Sequence, residues 1–280
     1  RRKQMKPIIL YRESRETMHW GELVSATKYF DCMESRMLIQ PDDLVVGRYS
    51  VLPFYREQER DIKLAGAQLI NTFEQHNYIA DLKNWVYDLK ELTPETWDRL
   101  EDLPDDCSFV LKGETNSRKH DWDTMMFAKD KEAACQVHSL LCKDGLIGYQ
   151  DIYIRKYYPL KTYMIAIQGL PVTHEFRFFV CYGQVLCGGY YWSNHVDDLP
   201  AIPNVDDVPR EFLQEVINRV GNKANFYTID VALTADGKWI VIELNDGQMA
   251  GIQENLPEDL YSNLRRVINE RYPACETKTP

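Results

Sequence analysis

No apolar run in the sequence approaches the roughly 20 residues that a membrane-spanning helix requires, so no membrane partner is expected. Arg1 to Lys6 is basic, but only a short apolar stretch follows it, which does not make a secretory signal. There is no Cys-x-x-Cys pair and no Cys/His ligand spacing. The seven cysteines are odd in number and scattered, as expected of reduced thiols in a cytoplasmic protein, and metal binding by cysteine is not expected. Gly-x-Gly-x-x-Gly and Walker A loops are absent, as is any recognisable nucleophile triad. An excess of basic charge is absent too: 33 Lys and Arg against 43 Asp and Glu leave a net charge of −10. That balance argues against a general binder of nucleic acid or anionic membranes, while a local basic cleft for phosphates stays compatible with it.

What is present is enough apolar material for a full core. Hydrophobic residues make up 44% and aromatic residues 12% of the 280, which excludes a disordered chain. The N-terminal third reads as a small α/β layer. Lys6 to Tyr11 and Asp43 to Val46 are strand patterns, Gln68 to Asn71 a strand end, and Gly21 to Phe30 a helix, with another in the charged stretch after Pro53. Ile79, Leu82, Val86 and Leu89 recur at three- and four-residue spacing, which predicts one helix over Tyr78 to Leu92. Thr93-Pro94-Glu95 predicts the cap and first turn of the next. From Cys107 the rhythm changes. Strands are expected at Cys107 to Lys112, Met125 to Ala128 and Tyr149 to Arg155, with a helix over Lys131 to Lys143. A hairpin about Gly183, an amphipathic helix from Pro209 to Gly221 and a last helix near Glu258 to Arg271 follow, with Glu276 to Pro280 frayed.

The stretch Asn225 to Ile252 is the most informative. It reads as two apolar strands joined by the turn Ala235-Asp236-Gly237-Lys238. Glu243 and Asn245, two apart, project from one face of the second strand, and Asp230 on the first can come across from them. Three hard oxygen donors crowded together are costly unless a hard cation such as Mg2+ sits among them, and Mg2+ is commonly completed by nucleotide phosphates. Removing one of these charges from the metal-free protein is therefore expected to relieve repulsion. The plainer reading is an amphipathic hairpin whose acids face water.

Cations stand at odd places elsewhere. Lys112 ends a buried strand and precedes the polar loop Gly113 to Asp121, so its ammonium and the loop N–H groups can meet a phosphate, with Arg118 and Lys119 in reach. A solvated loop is the alternative. In His174 to Val180, Phe176, Phe178 and Val180 share one face and Glu175, Arg177 and Phe179 the other. Arg177 in such a strand needs a carboxylate or a phosphate, Glu175 being the internal candidate. In Tyr153 to Leu160, Arg155 and Lys156 point to opposite faces of a regular strand, so at most one of them lines a given pocket. Tyr153, Tyr157 and Tyr158 either stack on a base or pack.

The order of these pieces resembles the ATP-grasp superfamily: a lysine near a strand end, a polar loop, an adenine-side strand, an Arg-bearing strand, then Asp230 and Glu243-Leu244-Asn245. Within it, Glu243-x-Asn245 followed by Gly247 and Gly251 is similar to the ending of the RimK-like peptide ligases and of a phage and bacterial clade. Asn71 to Lys83 resembles the helix that precedes the grasp. Tyr153 to Lys156 with Glu175 to Val180 is also similar to the ATP-grasp assembly factor of eukaryotic translation initiation. Two departures stand out: the family commonly has Pro where this chain has Asp246, and a Glu near the end of the adenine-side strand where this chain has Arg155 and Lys156.

The resemblance implies an α/β chain of ATP-grasp fold in three parts. These are an N-terminal pre-ATP-grasp α/β subdomain over residues 1–92, a lid over 93–155 and a C-terminal catalytic subdomain over 156–280, the last two α+β and clasping the nucleotide. It implies Asp230, Glu243 and Asn245 as ligands of Mg2+, and Lys112 and Arg177 as catalytic cations. Lys83, Lys112, Ser117, Arg118, Lys119, Tyr153, Ile154, Arg155, Lys156, Arg177 and Ile242 would bind ATP. The implied reaction joins a carboxylate to an amine, a peptide or protein among the candidates, through an acyl phosphate with release of ADP. An ATP-binding assembly protein without turnover and a kinase would need the same groups.

Overall fold

Ile8-Ile9-Leu10 and Leu44-Val45-Val46 are apolar at every position, and strands of that kind have to be covered on both faces. The computed structural model, which describes residues 5–12 and 20–273, meets this with a parallel sheet. Its strands are β1 (Lys6–Tyr11), β2 (Asp31–Met33), β3 (Asp43–Arg48) and β4 (Gln68–Leu69), in the order β2-β1-β3-β4. Ile8, Leu10 and Val45 face Tyr55 and Ile62 of α2 (Tyr55–Leu64), while Ile9, Leu44 and Val46 face the side that holds α1 (Trp20–Thr27). Glu276 to Pro280, expected to fray, and Arg1 to Gln4 lie outside the described residues.

The single helix predicted over Tyr78 to Leu92 is broken. α3 (Phe73–Ala80), opened by a Thr72/Gln75 capping box, stops at Asp81, and α4 (Leu82–Trp85) starts afresh. Asp81 is extended (φ −102°, ψ 117°) because its carboxylate caps the Lys83 N–H at 3.2 Å and accepts from the Tyr153 hydroxyl at 3.0 Å. The apolar spacing survives the break: Ile79, Leu82, Trp85, Val86 and Leu89 all pack in one core with the C-terminal sheet. The predicted helix at Thr93 is absent. Thr93 donates to the Val241 carbonyl at 2.8 Å, which holds this segment along a strand edge, and the chain runs extended into β5 (Thr96–Trp97).

β5, β6 (Phe109–Gly113), β7 (Phe127–Ala128) and β8 (Ile152–Lys156) form an antiparallel sheet in the order β5-β8-β6-β7. α5 (Trp122–Met125) takes the start of the strand expected at Met125. Phe109, Leu111, Ile152 and Ile154 face α6 (Lys131–Leu141), so Val110, Lys112, Tyr153 and Arg155 are on the opposite face. A hairpin of β9 (Thr162–Ile165) and β10 (Pro171–Thr173) follows, which the sequence did not announce.

β11 (Glu175–Cys181), β12 (Gln184–Tyr190), β13 (Phe226–Leu233) and β14 (Trp239–Asp246) make the third sheet, in the order β12-β11-β13-β14. One face is apolar and packs on α7 (Arg210–Val220) with the α3–α4 residues. The other changes along its length. Phe179, Cys181 and Phe226 join a core with Ile9, Val46 and the last helix, α8 (Pro257–Arg271), while Glu175, Arg177, Asp230 and Glu243 occupy the far end. Among the described residues no helix is long and apolar enough to cross a membrane.

Candidate active site

Register builds the cluster. β11 sets Arg177 opposite Asp230 and Glu175 opposite Ala232, and β13 in turn sets Asp230 opposite Glu243. After that pair a bulge inserts Ile242, so that Ile242 and Glu243 both border the same cavity. Asn245 lies two residues on, and its amide nitrogen reaches Glu243 Oε2 at 3.3 Å and Asp230 Oδ2 at 3.5 Å. Asp230, Glu243 and Asn245 are thus brought together on one face. Their carboxylate and amide oxygens are the hard donors that suit Mg2+. Among the described residues no group of three or more His, Cys, Asp or Glu is placed to hold a metal, so any cation here would rest on two carboxylates and one amide.

Two protein cations already answer the two carboxylates. Arg177 is buried and grips Asp230 with both arms, Nε to Oδ1 and Nη2 to Oδ2, each at 2.7 Å, while Nη1 donates to the Gly251 carbonyl at 3.0 Å. Arg177 therefore has a carboxylate partner, and it is Asp230 rather than Glu175. Lys112 crosses from the β6 sheet and pairs with Glu243. Burial alone would raise the Glu243 pKa, but the ammonium groups of Lys112 and Lys119 hold it down at about 2. The expectation of uncompensated oxygen ligands repelling one another is thereby corrected: the metal-free cluster is neutralised internally.

Lys119 swings in from the polar loop. Its ammonium donates to the Tyr191 hydroxyl at 2.6 Å and lies 4.4 Å from the centre of that ring. Burial works against its charge, yet the Tyr191 oxygen, Glu175 and Glu243 hold its pKa above the ordinary lysine value. Glu175 is 3% exposed; Oε2 accepts from the Thr173 hydroxyl at 3.0 Å, and Oε1 has no partner among the described residues. Burial pushes this carboxyl up to about 7. Arg155 donates to the Ile242 carbonyl at 2.5 Å and to Thr93 Oγ1 at 2.6 Å. With neutral acceptors only, burial lowers its pKa to about 10.

The cavity runs between the β6–β8 sheet and the β11–β14 sheet. Lys112, Lys119, Arg155, Glu175 and Glu243 line one part, and Val110, Ile240, Ile242, Trp122 and Tyr157 give it an apolar wall. Leu160, Leu170 and Pro171, at and beside the β9–β10 hairpin, close over it. Ser117 lines it as well. Lys156 does so together with Arg155, against the expectation that only one of them would, because Lys156 is the last residue of β8 and the chain leaves the sheet there.

Five residues expected to bind nucleotide do not line this cavity, Arg177 among them, held on Asp230. Arg118 turns the other way and holds Asp144 at 2.8 and 2.5 Å. Lys83 is half exposed and pairs with Asp81 at 3.1 Å and Asp151 at 3.2 Å. Tyr153 is buried against the C-terminal core and bonded to Asp81, and Ile154 is buried against α6. Glu175 is the residue whose place in the cavity was not foreseen. The sequence carries its signal, a carboxyl on the same strand face as Arg177, but a nearby arginine makes an internal ion pair the simpler expectation.

Residues 100–264, more than half of the chain, match the family model of the ATP-grasp domain, R2K clade family 3. The fold is similar to the crystal structure of D-cycloserine synthetase DcsG, 12% identical, with a TM-score of 0.59 over 95% of this chain and 99% of that one. It is also similar to a RimK domain ATP-grasp protein from Sphaerobacter thermophilus DSM 20745, 12% identical, with a TM-score of 0.53 over 92% and 98%. A third is the ATP-grasp ligase PsnB complexed with a phosphomimetic variant of its minimal precursor, Mg and ADP, 10% identical, with a TM-score of 0.54 over 93% and 97%. No curated protein matches the sequence.

Proposed function

Since the chain belongs to the ATP-grasp domain family, R2K clade family 3, we propose that it is an ATP- and Mg2+-dependent ligase that joins a carboxylate to an amine and releases ADP. The observation that carries this reading is a cavity between facing sheets whose apolar wall runs into Lys112, Lys119 and Glu243. Phosphoryl transfer asks a protein for positioning and charge neutralisation more than for a nucleophile, and this cavity offers both without one.

In this reading the base lies against Val110, Ile240 and Ile242. A sugar hydroxyl donates to the open Oε1 of Glu175. Lys112, Lys119 and Arg177 meet the phosphates, which keeps them in line and takes up charge as the γ-phosphoryl group leaves. Asp230, Glu243 and the Asn245 amide oxygen would hold Mg2+, which would supply neutralisation of the charge that develops on the phosphates. The substrate carboxylate attacks the γ-phosphorus and forms an acyl phosphate. The amine then attacks the acyl carbon and phosphate departs, so one amide is made for each ATP split to ADP. A peptide is a candidate substrate because PsnB has been crystallised with its precursor peptide.

Hydroxylamine tests the proposal, with pools of carboxylates and peptides, ATP and Mg2+. The expected outcome is a hydroxamate with ADP, not AMP. A stable phosphorylated product would make the chain a kinase, and nucleotide binding without turnover over broad pools would favour an assembly protein.

A further inference from the structure

The acids that would hold Mg2+ are not open to it. Asp230 is 1% exposed and clamped at both oxygens by Arg177, and Glu243 is paired with Lys112. Asn245 turns its amide nitrogen, not its oxygen, towards both carboxylates. Lys119, Arg155 and Lys156 line the same cavity as Lys112, so with Arg177 five cations stand against the carboxyl groups of Asp230, Glu243 and Glu175. A divalent cation entering alone would have to displace two buried ion pairs and would then lie beside the cations it had displaced. An anionic polyphosphate meets the opposite situation, because the cavity is net positive and lysine and arginine both prefer phosphate oxygens when these are offered.

We propose that the nucleotide opens this metal site: ATP phosphates draw Lys112 and Arg177 off Glu243 and Asp230, and only then do those carboxylates accept Mg2+. Lys112 and Arg177 are thus counter-ions of the metal ligands in one state and phosphate ligands in the other, and nucleotide and metal bind with positive coupling. By linkage, each then raises the affinity of the other by the same factor. The inference rests on the nucleotide reading above and adds an order of events to it.

Two measurements test it, neither of them through turnover. The first is calorimetric titration of the nucleotide-free protein with Mn2+. Wild type should bind Mn2+ weakly, and Lys112→Met, which frees Glu243, should bind it at least about tenfold more tightly. The second uses wild type alone and so does not depend on the variant folding. The Arg177 Nε–H resonance, fixed by the clamp on Asp230, should stay in place when Mg2+ is added without nucleotide and should move when ATP is added in EDTA. A Lys112→Met protein that binds Mn2+ no better than wild type would overturn the proposal, as would a resonance that moves with Mg2+ alone or stays put with ATP in EDTA. If ATP fails to bind with Mg2+ as well as without it, the nucleotide reading itself falls. If ATP binds while Mn2+ is taken up freely by wild type, only the coupling falls.

Discussion

Glu175 is the residue whose environment has the clearest consequence. Its carboxyl is buried, one oxygen is unpartnered among the described residues, and burial raises its pKa from 4.5 to about 7. The folded state therefore holds this proton more tightly than the unfolded chain does. For a raised pKa, the stabilisation is fully present below pH 4.5 and is lost as pH rises through about 7. A shift of that size corresponds to roughly 3 kcal/mol. Chemical denaturation in EDTA at stepped pH should show wild type losing stability on that order between pH 5 and 8. Glu175→Gln should flatten the decline and be the more stable protein at pH 8. Parallel profiles for the two proteins would mean that Glu175 is solvated or paired after all. At this scale the sequence was informative where period alone decides. The two-residue spacing of Glu243 and Asn245, and of Glu175 and Arg177, fixed which side chains share a face. It was silent where a distant partner decides. Which of the neighbours Arg118 and Lys119 turns inward depends on Asp144, beyond α6, and on Tyr191, beyond β12.

Elements fail to follow local pattern where a side chain from another element intervenes. Asp81 breaks a helix whose apolar spacing is otherwise continuous, since its carboxylate serves Lys83 N–H and Tyr153. Thr93 has the residue type of a helix cap, but the Val241 carbonyl takes its hydroxyl. The loop from Glu114 to Asp121 combines both kinds of constraint. It is pinned at its base by Thr115 N–H on Gln150 Oε1 at 3.0 Å and further along by Arg118 on Asp144, and Lys119, the next residue, reaches into the cavity. Within this loop Lys119 would exchange Tyr191 for phosphate, and Ser117, which lines the cavity, would gain a contact. Hydrogen exchange should therefore gain protection at Ser117 to Lys119 on addition of ATP and Mg2+, with Thr115 little changed because its N–H is already bonded. Equal exchange along the whole loop with and without nucleotide would reduce it to a surface turn.

The whole molecule is tied together at the place where the sequence departs from the ATP-grasp pattern. Asp246, in the position where a proline is common, is 3% exposed and accepts from Asn71 Nδ2 at 3.0 Å, from His76 Nδ1 at 2.9 Å and from the Gln248 N–H at 2.9 Å. Gln248 in turn accepts from the Gly47 N–H at 3.0 Å and donates to the Tyr55 hydroxyl at 2.7 Å. Tyr55 stacks on His76 with ring centres 4.0 Å apart. A proline could make none of these bonds through its side chain, so the substitution exchanges a stiff turn for a buried anchor between the strand of Asn245 and the N-terminal sheet. Apolar packing runs the same way, since Ile9 and Val46 share a core with Phe179, Phe226 and α8. The three sheets should consequently unfold together. Calorimetry is expected to show one transition for wild type, displaced upward as a whole by ATP with Mg2+, by about 2.7 kcal/mol at a hundredfold excess over the dissociation constant. Asp246→Ala takes the acceptor from His76 and the Gln248 N–H and leaves Asn71 Nδ2 with the Phe226 carbonyl alone, and breaking such a network costs on the order of 3–5 kcal/mol. Its transition should fall yet remain single, because the shared apolar core is untouched. A variant trace split into two peaks, with the upper one alone responding to ATP, would show that the N-terminal sheet is joined to the nucleotide cavity by little more than this one carboxylate.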